Sequence, residues 1–272
     1  MSVARARPRS LAVVRVTLTQ QRRALLWWAI AIALMALMFA AFYPSVRDSG
    51  ETFDDYLDQL PEAFKTIIGP DLTSPAGYLW SQLFSSVGPV IFLVYAIGTG
   101  ARGIAGEEEA GSLDLVLSTP VRRDLVLRDK ALAMVAGTLG LSAVLLATIA
   151  VVGPPFDLSV PFGDLLTAHA MEGLVAIDFG MIALLIGAAT GNRARAIGIS
   201  SALAVAAYLV WAMATTVDWL EPLLPLSPFR WFADPQPVSN GTELVNVAVL
   251  VAIPVVAYAI ALVLFRRRDL AT

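Results

Sequence analysis

The chain has 272 residues, no cysteine and a formal net charge of −3, and 57% of it is hydrophobic; its mean hydropathy is +0.72. Soluble domains run at about 45–50% apolar, so this composition points to a membrane chain. The small net charge gives no bulk attraction to nucleic acid, and the lack of cysteine excludes disulfides, thiol catalysis and cysteine metal sites.

A spanning helix needs about 20 mostly apolar residues, and six segments qualify. The first, 24–43, opens with Trp27 and Trp28 and follows a basic region carrying Arg5, Arg7, Arg9, Arg15, Arg22 and Arg23. That region is too extended, and the apolar stretch too long, for a cleaved signal peptide. It reads as an amphipathic helix on the inner membrane surface, with its arginines at anionic headgroups. Next, 52–68 repeats Phe53, Tyr56, Leu57, Leu60, Phe64, Ile67 and Ile68 at helical spacing. It reads as an outer amphipathic lid closed by Gly69-Pro70. The second span is 78–99, inside an uncharged run over 72–101, and the third is 131–152. The fourth, 165–190, holds His169, Glu172 and Asp178. His169 and Glu172, one turn apart near the outer end, read as a pair that stays wet. Asp178 lies six residues on from Glu172, about 120° around the helix, so the three do not form one polar stripe. Gly187-x-x-x-Gly191 invites close approach of another helix, within the chain or across a dimer. The fifth span is 196–217. A Pro- and aromatic-rich segment with Trp219, Trp231 and Phe232 follows and reads as interfacial or re-entrant. The sixth span, 244–265, contains Pro254.

The arginines set the orientation. Besides the N-terminal group, Arg102, Arg122, Arg123, Arg128 and Lys130 lie between spans two and three, Arg193 and Arg195 between four and five, and Arg266–Arg268 after six. The alternate loops hold only Arg47, Lys65 and Arg230. The positive-inside rule then puts both termini in the cytoplasm, as an even number of spans requires. The expected fold is an all-α polytopic membrane protein of the cell membrane, one domain over 1–272.

The segment Gly106–Lys130 concentrates ten charged residues in 25, acids first and bases last. Glu107–Glu109 are placed at the start of a short helix, where carboxylates suit the positive end of the helix dipole. Thr119-Pro120 ends that helix and opens the next. The basic half has a topological explanation. The acidic half has none, and is either a docking surface or a solvated loop.

No phosphate-binding Gly-x-x-x-x-Gly-Lys-Ser/Thr loop, His-Glu-x-x-His motif or Gly-x-Ser-x-Gly elbow is present, and Asp178 is the one aspartate deep in a span. The chain is therefore expected to move something rather than to catalyse, with no metal of its own.

The run GEEEAGSLDLVLSTPVRRDLVLRDK resembles the cytoplasmic stretch of ABC-2 type permeases, the membrane subunits of type-2 ATP-binding-cassette exporters. The likeness is carried by Glu107, Glu108, Glu109, Gly111, Ser112, Leu113, Asp114, Ser118, Thr119, Pro120, Val121, Arg122 and Lys130. LSPFRWFADPQPVSNG resembles the family's segment before its last span. The resemblance implies a coupling helix over 105–117, docking a separate ATPase subunit through Glu107, Glu108, Glu109, Gly111, Ser112, Leu113, Asp114 and Leu117. ATP and magnesium would be on that partner, and a second permease copy or a paralogue would complete the complex. His169, Glu172 and Asp178 are candidates for the substrate path or the seam between permeases, Asp178 equally for a structural hydrogen bond. The rival is an ion-coupled secondary carrier using the same three residues, since ionisable groups within a span are functional candidates. A membrane anchor without transport would explain neither Asp178 nor the acidic loop.

Overall fold

The structure, a computed structural model, describes residues 12–49, 60, 61, 64, 67, 71–111 and 122–268. Six long helices dominate: α1 (Ala12–Arg47), α2 (Pro75–Glu109), α3 (Arg123–Val152), α4 (Phe162–Thr190), α5 (Arg193–Met213) and, after two short helices α6 (Pro228–Ala233) and α7 (Pro237–Asn240), α8 (Leu244–Arg267). All six long helices are apolar enough to cross a membrane. Helix is the expected solution, because lipid offers backbone groups no hydrogen bonds.

α1 departs from expectation. A separate surface helix was predicted before the first span, but α1 is one unbroken helix of 36 residues, about 54 Å at 1.5 Å per residue. No glycine or proline interrupts residues 12–43, so nothing breaks it before it outruns the bilayer core of about 30 Å.

α2 starts where Ser74 caps it, its hydroxyl accepting from the Gly77 N–H at 3.1 Å, with Pro75 in the first turn. Asp71 braces the turn by accepting from Thr73 and Ser74. Burial works to raise its pKa, but these hydrogen bonds outweigh that and hold it below the ordinary carboxylate value. Inside α2, Trp80–Val87 winds as π-helix. Pro89 supplies the reason: it has no N–H for the Ser85 carbonyl four residues back. Gly88 donates instead to Leu83, and the Ser85 carbonyl is taken by the Tyr208 hydroxyl of α5 at 2.9 Å.

α4 is the hub, packed against α2, α3, α5 and α8. Of its most apolar stretch 67% is buried inside the protein, against 17% for α1 and 22% for α8. The span that carries charge is the one removed from lipid, as the cost of lipid-facing charge demands. Close approach of α2 and α4 rests on small residues. A Cβ on Gly100 would collide with the Gly180 carbonyl, and one on Gly180 would press on Ala96 and Met134. Gly187 faces Ala105 and Ala101 of α2, which settles that half of the Gly-x-x-x-Gly spacing as packing within the chain.

At the end opposite the arginine clusters, Arg47 pairs with Asp157 at 2.7 Å, and the Tyr43 hydroxyl donates to the Thr73 carbonyl at 2.9 Å. The predicted lid over 52–68 lies outside the described residues except Leu60, Pro61, Phe64 and Ile67. The segment after α5 forms a 3-10 helix, Asp218–Leu226, and then α6. Trp219 is 71% exposed, whereas Phe229 and Phe232 are buried. Phe229 stacks on Phe179 of α4 at 5.9 Å and meets Tyr208 edge-on at 5.3 Å.

If the glycine contact sets the α2–α4 distance, Gly100→Val should destabilise the detergent-solubilised protein by about 1–3 kcal/mol or more, the cost of overpacking. Gly98→Ala and Gly140→Ala, where an added Cβ meets nothing, should be close to neutral. Thermal unfolding followed by size-exclusion chromatography reads both.

Candidate functional site

The acidic triplet does not begin a helix. α2 continues through Glu109, and Gly111, at φ +67°, closes it in the left-handed conformation common after a helix. Three carboxylates therefore stand at the carbonyl end of a helix, where the dipole disfavours negative charge. Compensation comes from three other helices. Glu107 pairs with Lys130 of α3, which also donates to the Thr17 hydroxyl of α1 at 3.1 Å. Glu108 accepts from Arg268, the residue capping α8, at 2.5 Å. Glu109 accepts the backbone N–H of Arg193, first residue of α5, at 2.8 Å. The charge does meet a helix N-terminus, but that of α5.

Arg268 extends the network to the end of α4. Its Nη1 lies 3.4 Å from the Ala188 carbonyl, and its guanidinium fills the place a Cβ on Gly191 would take. Gly191 also has φ +63°, so glycine is required there twice over. Arg123 donates to the Arg268 carbonyl at 3.0 Å. Arg266 binds Asp124 through two nitrogens at 2.7 and 2.6 Å. All six long helices thus meet at one end through side chains grouped around Glu107–Glu109.

This arrangement alters the picture drawn from the sequence. Glu107 and Glu108 turn inward, with 21% and 17% of their side chains exposed, and Glu109 alone of the triplet stays open. Ser112, Leu113, Asp114 and Leu117 lie outside the described residues. Sequence reasoning missed the partners Arg193 and Arg268. The one available signal was Lys130, one of only two lysines in the chain.

The charged residues of α4 also differ from expectation. His169 and Glu172 are each 1% exposed and Asp178 0%, so the first two are not a wet interfacial pair. Neighbouring helices have closed over that face. His169 Nδ1 lies 2.7 Å from the Leu165 carbonyl, its ring stands edge-on to Phe84, and its own carbonyl accepts from Ser142. Glu172 lies against Gly88 of α2, where a Cβ would strike its carboxylate. Neither Glu172 nor Asp178 has a protein hydrogen-bond partner for either carboxylate oxygen among the described residues. None of the three lines the cavities described here, and no cluster suited to a metal ion occurs among the described residues.

The largest of these cavities was not foreseen. It is an apolar groove of about 620 Å³ between α2 and α5, bounded by Ser86, Gly98, Ser201, Tyr208 and Phe229. A polar pocket of about 260 Å³ sits between α1, α2 and α3, beside Lys130 and Glu107.

Removing one partner of a fully buried ion pair costs about 3–5 kcal/mol. Arg268 and Glu108 keep 19% and 17% side-chain exposure, so Glu108→Arg should cost somewhat less, roughly 2–3 kcal/mol. Exchange of both charges, Glu108→Arg with Arg268→Glu, should recover most of the loss. Thermal stability of the two variants in one detergent checks this, and a double variant no better than the single one would show that the pair does not hold the helices.

Residues 11–270 match the family described as ABC-2 family transporter protein. No curated protein matches the chain. Six apolar helices, a charged stretch between the second and third, and a family match that spans nearly the whole sequence lead to one conclusion: the chain belongs to the ABC-2 family of transporter proteins.

Proposed function

We propose that this protein is the permease subunit of an ATP-binding-cassette exporter, driven by a separate ATPase subunit and working with a second permease, identical or paralogous. The observation that carries the reading is the convergence of all six helix ends on Glu107–Glu109. Force applied to the segment over 111–122 reaches α1, α3, α4, α5 and α8 through bonded side chains rather than through a flexible loop. A hub of this kind suits a permease that makes no ATP chemistry of its own.

In this reading the arginine-rich end faces the cytoplasm of a plasma-membrane protein, and 105–117 is the coupling segment. Glu107 and Glu108 pair with Lys130 and Arg268 of the spans, which supports a reading in which Leu113, Asp114 and Leu117 meet the ATPase. The ion-coupled alternative has less support, because none of His169, Glu172 and Asp178 lines the groove.

Leu113→Asp with Leu117→Asp should give an inserted permease of normal stability that no longer retains its ATPase, or no longer links ATP hydrolysis to transport in inverted vesicles. Normal retention and coupling in that variant would remove the docking account. Orientation is checked separately in this cysteine-free chain. Ser159→Cys should react with an impermeant thiol reagent in intact cells, and Ala110→Cys only after lysis; the reverse pattern would invert the topology.

A further inference from the structure

In the half of the bundle away from the arginine clusters, α2 and α4 meet at Glu172. This residue is 1% exposed. Its carboxyl group packs on Gly88, which follows the π-helical turns of Trp80–Val87. A Cβ built on Gly88 would strike Glu172 Oε1 and lie 2.6 Å from the Leu83 carbonyl oxygen. A carboxyl oxygen and a main-chain oxygen therefore crowd one small space.

Two acceptors do not attract each other, and a buried carboxylate without a partner carries a large desolvation cost. Something positive has to lie between them. It is not a side chain, for neither oxygen of Glu172 has a donor among the described residues. The α2 turns over 80–87 carry no charge, and neither does α7. From α3, Leu139 and Ser142 lie beside Gly173, and the Ser142 hydroxyl is already given to the His169 carbonyl. The Tyr208 hydroxyl of α5 is given to the Ser85 carbonyl. His169, one turn before Glu172, directs Nδ1 at the Leu165 carbonyl, and its Nε2 has no partner. A water or hydrated ion needs room and several polar partners, and Glu172 lines none of the cavities described. The cation that fits is a proton on the carboxyl group itself.

The acid form of glutamate has one O–H to donate, and the π segment supplies the acceptor. The Leu83 carbonyl takes the Gly88 N–H, five residues on. A carbonyl oxygen has a second lone pair, and here it lies against the space that Glu172 Oε1 enters. Stretches of π-helix occur often at functional sites; this one sets a glycine and a carbonyl where the acid of α4 arrives.

We propose that Glu172 is a proton-binding site: it is held as the neutral acid, and its O–H donates to the Leu83 carbonyl. The bond is a latch between the charged span α4 and the π-helical part of α2. It complements the glycine contact of Gly100 and Gly180 further along the same helix pair. Gly88 is required because any side chain there would displace the carboxyl group. The latch needs no ATPase and stands apart from the coupling role.

The test uses the full chain in detergent at neutral pH. An infrared difference spectrum between the original protein and Glu172→Gln should contain the carbonyl stretch of a protonated carboxylic acid; Asp178 is present in both and cancels. Carboxylate bands in its place would overturn the proposal. Gly88→Ala puts a methyl group between the two oxygens, so the acid band should move to the higher frequency of a carboxyl group without a hydrogen bond. An unmoved band in that variant would remove Leu83 as the acceptor. Thermal unfolding gives an independent reading. The Glu172→Gln amide can donate to the same carbonyl, so its Tm should stay within about 2 °C of the original, while Glu172→Met should fall by roughly 2–6 °C, the loss of one hydrogen bond. A rise in both variants would mean that an unpaired carboxylate had been removed, and a rise in Glu172→Met alone would mean an acid that bonds nothing. Either result, or equal Tm values for the two variants, would overturn the proposal. Size-exclusion profiles verify folding, and should Gly88→Ala fail there, the difference spectrum and the order of Tm values decide.

Discussion

Three carboxylates at the carbonyl end of α2 are an electrostatic liability, and the basic end of the molecule is organised around relieving it. Each glutamate finds a different helix: Glu107 a lysine on α3, Glu108 an arginine beyond α8, Glu109 the amide end of α5. A single α2 end thereby becomes the point at which five other helices are tied. Lipid supplies little force between apolar helices, so packing and polar contacts must hold them. A partly buried ionic hub in which one member cannot move without disturbing the others suits that need.

Deeper in the bundle a different rule operates. α4 carries the polar residues that lipid would penalise, so it takes the central position and turns them toward protein. Glycines then set how near α2 can come. Gly100 and Gly180 bring backbone against backbone, and Gly88 leaves the space that Glu172 occupies. The charged span and the glycine-rich span are complementary, one bringing bulk that must be hidden and the other the room to hide it.

Pro89 links this packing to the groove. By leaving the Ser85 carbonyl without its helical donor, it changes the winding of α2 and creates an acceptor for Tyr208. That bond fixes α5 against α2 near one end of the groove. Further along, the two helices are separated by the cleft that Gly98 leaves open. The same helix thus serves as hub at its acidic end and as one wall of the cleft along its length.

Hydrophobic runs longer than about 20 residues can be read from sequence because the bilayer's thickness imposes them locally, so six helices, their order and the segregation of arginine to alternate loops were legible. The family likeness was legible too, since it rests on contiguous residues from Glu107 to Lys130. What the sequence could not settle depended on residues distant in the chain. Glu108 and Arg268 are 160 positions apart, and no local pattern pairs them. The triplet read as a helix start because acids favour that end; only the continuation of α2 through Glu109 reversed the assignment. His169 and Glu172 read as wet because their position along α4 is near an end, while burial depends on which helices pack around it. The groove lies between α2 and α5. Sequence determined which segments enter the membrane, because the bilayer acts on each segment separately; tertiary structure decided which charges meet and where space remains, because those are properties of pairs of helices.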